Sequence, residues 1–188
     1  MNVLARLVSS ALVIVLASTA LAADPKASKD AVDRGRYLVN MIGCNDCHSP
    51  KVFTAEGPVP DPKRLMSGHP AGSKLPPVDT KALSPGYWCL MSPDLTAFVG
   101  PWGQSFAINL TPDEQTGIGL WTEEIFMKAL RSGKHMGEGR AILPPMPWQF
   151  YGSMADDDMK AIFAYLRSLP PIKNMVPQPV AAGDIGKM

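Results

Sequence analysis

Cys44-Asn45-Asp46-Cys47-His48 sets the problem that this chain's fold has to solve. Two thiols stand three positions apart and an imidazole follows at once, the attachment pattern of a c-type haem. The two thiols add across the two vinyl groups of one porphyrin and become thioethers. One short helical turn spans the vinyls and brings His48 over the iron as its proximal ligand. A zinc site would need further ligands, and there is no second cysteine pair to complete one. A redox dithiol of the thioredoxin kind belongs in a βαβ context, which the sequence does not offer. The motif occurs once, so one haem is expected.

Residues 1–22 read as a secretory signal peptide. Arg6 is the basic start, Leu7 to Leu21 is apolar, and Ala20-Leu21-Ala22 has the small-x-small form of a cleavage site. The apolar run is shorter than the ~20 residues that cross a bilayer. Cleavage and a periplasmic location are therefore expected, with an uncleaved anchor as the alternative. Residues 23–172 form the expected single domain, and 173–188 a loose C-terminal tail. Losing Arg6 takes the formal charge from +1 to about zero. No basic field points to nucleic acid, and no basic helix to a membrane surface. With 19 prolines and 16 glycines, much of the chain must be loop.

Periodicity predicts three helices. The first covers about 31–41, capped by Asp30, with Gly35 inside it. A glycine there costs ~1 kcal/mol against alanine, so close approach of another helix is expected. Tyr165 of the last helix is the partner proposed from the sequence. The second helix covers 122–132, with Thr122 as cap and Gly133 as stop. The third covers 156–168 and ends before Pro170-Pro171. Between the haem motif and Pro101, only Tyr87–Leu90 and Thr96–Val99 look like strands, joined by a turn at Ser92-Pro93-Asp94. The fold expected is mainly α and loop-rich, with three core helices around one covalent haem and a short hairpin.

For the second axial ligand, Met146 stands out in Leu143-Pro144-Pro145-Met146-Pro147-Trp148. Flanking prolines limit the loop's freedom, so less entropy is lost in holding the thioether on iron. Met136 is the nearest competitor. Met66, Met91, Met127, Met154 and Met159 read as core filler. His69 or His135 would give a bis-His centre instead; as isolated histidines both read first as surface residues. Cys89, left unpaired, reads as a small buried apolar residue beside Tyr87, Trp88 and Leu90.

These blocks together resemble the class I-like cytochrome c family, and more closely the cytochrome c modules of periplasmic dehydrogenases, such as the cytochrome subunits of alcohol and gluconate dehydrogenases. The resemblance runs through Gly43–His48, Pro101-Trp102-Gly103, Asn109-Leu110-Thr111-Pro112-Asp113, Thr116–Trp121, Arg140, Pro145–Trp148 and Met154–Pro171. It implies Cys44 and Cys47 as thioether anchors of haem c, and His48 and Met146 as axial ligands. It further implies that the Pro101 carbonyl accepts from the free ring N–H of His48. Asn109, Arg140 and Trp148 are implied as contacts to the haem edge or propionates. The chain departs from the family in a long insert, about 56–99, which either walls the haem or docks a partner.

The function expected is single-electron transfer between redox proteins, a dehydrogenase donor or an oxidase acceptor, with no catalysis of its own and no small-molecule substrate. A haem-based gas sensor or a haem enzyme is the alternative; either would need an open sixth position on iron.

Overall fold

The computed structural model describes residues 27–187; the expected signal peptide lies outside the described residues. Among the described residues five α-helices and two small antiparallel sheets are joined by long loops. Helix α1 spans Lys29–Met41. Its cap is Ser28, whose hydroxyl accepts from the Ala31 amide, and not Asp30, which falls in the first turn. Helix α2 is the five-residue turn Cys44–His48. Helix α3 spans Glu123–Ser132, capped by Thr122 and stopped by Gly133 in the left-handed region at φ 66°. Helix α4 is the single turn Trp148–Tyr151. Helix α5 spans Asp156–Ser168, with three aspartates at the positive end of its dipole.

Helices α1 and α5 cross in direct backbone contact. A Cβ on Gly35 would overlap the Ala161 carbonyl and come within 2.8 Å of Tyr165 Cβ. The glycine is there to let the two helices touch, and Tyr165 is its neighbour as expected. The buried apolar cluster draws Leu38 and Val39 from α1, Phe126 and Leu130 from α3, and Met159, Ile162 and Leu166 from α5. Met66 and Ile118, both fully buried loop residues, complete it.

The first sheet pairs β1 (Lys51–Thr54) with β2 (Gly57–Pro60), Val52 opposite Val59. Periodicity missed this hairpin because Pro58 and Pro60 hide its second strand. The other sheet runs β3 (Leu90–Met91), β4 (Ala97–Gly100) and β5 (Gly103–Phe106), in that order. The turn at 92–95 is where it was expected, but the strand before it is short. Residues 84–89 leave the sheet as open loop, so Trp88 is 79% exposed and Cys89 is exposed as well. That overturns the buried reading of Cys89.

The expectation of a loose tail from residue 173 is also corrected. Asn174 is buried and bonds the insert, and Val180 pairs with Gln104 at the free edge of β5. Backbone groups left over at the sheet edge give the tail something to bind. Among the described residues no helix is long and apolar enough to cross a membrane.

Candidate cofactor cleft

Gly43, in the left-handed region at φ 76°, turns the chain from α1 into α2. The α2 turn then forms one side of a cleft whose empty space, including its open mouth, is about 1240 Å³. Cys44, Cys47 and His48 all line it. Side chains of α3 and α5, among them Phe126, Leu130, Ile162 and Leu166, make its apolar floor. The loop Ile142–Pro147 closes another side, with Met146 on the wall.

His48 Nδ1 lies 2.9 Å from the Ile108 carbonyl. A carbonyl only accepts, so Nδ1 carries the proton and Nε2 keeps a free lone pair. Burial holds the His48 pKa below its ordinary value, which favours the neutral imidazole that metals bind. The expected acceptor, Pro101, sits exposed in the tight turn between β4 and β5. The true one is the carbonyl immediately before Asn109, because β5 has already delivered the chain to His48 by then.

The insert packs directly behind this bond. Gly68, at φ 75°, lies so close to that backbone that a Cβ on it would sit 2.5 Å from the Ile108 carbonyl carbon. The Gly68 amide donates to the His48 carbonyl at 2.8 Å. Ser49 ties in the same segment, accepting from the Met66 amide and donating to Asn45 Oδ1, both at 2.9 Å.

Burial pushes the Cys44 thiol up to about 12 and raises Cys47 too. A redox dithiol depends on a lowered thiol pKa, so these cysteines are poorly suited to disulfide exchange. Among the described residues no group of three His, Cys, Asp or Glu is arranged to hold a metal ion by itself.

On the loop wall, Met146 is held by short turns: its amide donates to Leu143 O at 3.3 Å, and its carbonyl accepts from the Trp148 amide at 2.9 Å. Ser105 of β5 fastens the loop by donating to Pro144 O at 2.6 Å. Met136, the competitor, is 46% exposed and off the cleft. Two further residues with ligating atoms line it: Met154 and His135. The ring of His135 stands edge-on to Trp121 at 5.3 Å. The sequence named His135 as a bis-His candidate, though read first as a surface residue, and took Met154 for core filler; the cleft brings both to its lining. Arg140 also reaches the cleft and, among the described residues, has no carboxylate partner.

The cleft's chemistry fits a haem. Its walls are apolar, as a macrocycle needs. Two thiols and a neutral imidazole sit on one side, and a thioether lies on the loop. Arg140 supplies a guanidinium for a carboxylate.

The chain is similar to the cytochrome c subunit of gluconate 2-dehydrogenase from Pantoea cypripedii, 32% identical over 155 residues. That match covers 82% of this chain and 27% of that protein. The fructose dehydrogenase cytochrome subunit of Gluconobacter japonicus is 29% identical over 160 residues, covering 82% and 26%. The cytochrome c subunit of the quinone-type alcohol dehydrogenase of Gluconobacter oxydans is 26% identical over 139 residues, covering 74% and 21%. The chain is a relative of dehydrogenase cytochrome c subunits. It spans about a quarter of the length of these curated relatives. No family model matches it.

Two residues that the resemblance implied as haem contacts stand elsewhere in this relative of the dehydrogenase cytochromes. Asn109 is buried off the cleft, with Nδ2 donating to Thr116 Oγ1 at 3.1 Å and Ile172 O at 2.8 Å, and Oδ1 accepting from Thr111. Its amide joins three chain segments behind the cleft. Trp148 lies against Gly133, where a Cβ would strike its ring. His69 is buried rather than on the surface, donating from Nδ1 to Thr96 Oγ1 at 2.8 Å, and does not line the cleft.

Proposed function

We propose that this protein is an exported, periplasmic cytochrome that carries single electrons between redox proteins. One covalent haem c would be held by Cys44 and Cys47, with His48 and Met146 as axial ligands. The observation that carries the reading is the His48 Nδ1–Ile108 bond beside Cys44 and Cys47 on an apolar cleft. It leaves Nε2 as the one ring nitrogen able to bind iron.

When bound, the haem supplies one-electron cycling between Fe(II) and Fe(III). The chain's residues define how. Cys44 and Cys47 fix the macrocycle to α2, and the Ile108 carbonyl keeps the imidazole in one tautomer and orientation. Met146, on its proline-restrained loop, offers a thioether that favours Fe(II). The floor of α3 and α5 side chains excludes water and penalises the extra charge of Fe(III). Arg140 is suited to hold a propionate. With both axial positions filled there is no place for a substrate, and a partner would dock briefly over a small area. The names of the relatives support a dehydrogenase as donor; an oxidase would serve as acceptor.

The test is the optical spectrum of the exported protein, oxidised and reduced, beside that of Met146→Ala. The wild type is expected to show covalent haem, sharp reduced α and β bands and the weak near-infrared sulfur-to-iron band. In Met146→Ala the haem stays attached, the near-infrared band is lost and the iron opens. An unchanged spectrum in the variant would remove Met146 as ligand. His135 on the cleft wall favours a second reading, a bis-His centre, which would lack the sulfur band in the wild type and lose its bis-His spectrum in His135→Ala.

A further inference from the structure

Lys51, the first residue of β1, turns back beneath α2. Its ammonium donates to the Asn45 carbonyl at 3.0 Å, the Asp46 carbonyl at 2.9 Å and the Ser49 carbonyl at 2.5 Å. The Asp94 carbonyl lies further off, at 3.5 Å. These are carbonyls that a helix leaves unpaired at its end, and a cation there meets the negative end of the peptide dipoles. Lys51 is half-buried, and desolvation works against its charge. The Asp46 and Asp94 carboxylates lie near enough to be felt. Among the described residues neither pairs with it as a salt bridge. Three carbonyls therefore hold a positive charge that no carboxylate contacts, directly under the turn that carries Cys47 and His48.

We propose that the Lys51 ammonium, fixed on the Asn45, Asp46 and Ser49 carbonyls, is a positioning residue that raises the reduction potential of the iron centre built on α2. The inference rests on the haem reading of the cleft. Two effects act in the same direction. The charge itself disfavours the added positive charge of Fe(III). It also offsets the carbonyl oxygens under the turn, whose partial negative charge would otherwise favour Fe(III). Because the same ammonium joins Asn45 to Ser49, it keeps the turn closed on its polar side.

The test is a redox titration of purified holoprotein for the wild type, Lys51→Gln, Lys51→Met and Lys51→Arg, with covalent haem confirmed by mass for each. The two neutral variants are expected to raise the Fe(III)/Fe(II) ratio at a fixed potential by up to about tenfold, ~59 mV for one electron. Lys51→Arg is expected to stay near the wild type. Equal potentials in all four proteins would overturn the proposal. So would an equal shift in Lys51→Arg and Lys51→Gln, which would mark a purely structural role. If the neutral variants yield no holoprotein, the wild type is compared with Lys51→Arg from about pH 8 to 11, where a lysine loses its proton and an arginine does not. The wild-type potential should then fall further than that of the variant, and equal falls would overturn the proposal. A wild type without covalent haem would instead defeat the reading of the cleft itself.

Discussion

His69 shows what a single buried residue does in this molecule. It is 1% exposed, tilted against Phe106 at 5.0 Å, and donates to Thr96 Oγ1. Thr96 Oγ1 passes the chain on, donating to Asp94 Oδ2 at 2.8 Å. Burial lowers the His69 pKa below its ordinary 6.5, and the Asp94 carboxylate only partly offsets this. The unfolded chain therefore binds a proton more readily than the folded one. The stability from neutral His69 is complete above the ordinary value and is lost as pH falls through it toward the folded value. The melting temperature of the wild type is thus expected to drop between about pH 7 and about pH 5, and His69→Asn to drop less. Parallel curves would mean that His69 is not held neutral. Residues of this kind divide by how legible they were. On the proposed haem reading the Cys44–His48 spacing follows from the porphyrin, so it is open in the sequence. Met146 is marked by its prolines. The Ile108 carbonyl carries no side-chain identity, and only the path of the backbone reveals it.

At the scale of elements, the contact between α1 and α5 depends on one missing methyl group. Gly35→Ala places a Cβ into the Ala161 carbonyl, backbone against backbone, so neither partner can yield by a rotamer change. Overpacking of this kind costs about 3 kcal/mol, a fall of roughly 10 °C in melting temperature for a chain of this size. Gly183→Ala is the control: it has open space and no left-handed backbone, and should leave the melting temperature nearly unchanged. A Gly35→Ala protein as stable as the wild type would mean that the helices do not touch there. Helices were the elements most open to prediction, since caps and apolar stripes are local signals. Thr122 and Gly133 bound α3 as expected. The β1–β2 hairpin escaped notice because its stability comes from pairing across a turn, and its prolines speak against a strand.

The whole molecule is held by its end returning to its middle. The sequence left residues 173–188 as a loose tail because they are small and polar, yet their contacts are long-range and invisible to local patterns. The Asn174 amide donates to the Ser67 carbonyl at 2.6 Å and the His69 carbonyl at 2.9 Å, while its Oδ1 accepts from the Ala71 amide at 2.8 Å. Its own backbone amide donates to Thr116 Oγ1 at 3.0 Å. The side chain thereby pins residues 67–71, the segment whose Gly68 backs His48 and crowds Ile108. Cutting that side chain leaves two buried carbonyls and one part-buried amide without partners, at a cost of about 3 kcal/mol. Asn174→Ala should therefore destabilise the protein by that amount in denaturant titration. It should also speed hydrogen exchange at the Gly68 amide, because that amide is protected only while the segment stays seated on the His48 carbonyl. If the tail merely rested on the surface, Asn174→Ala would cost under about 0.5 kcal/mol and leave Gly68 protected. The closing segment would then contribute nothing to the site it covers.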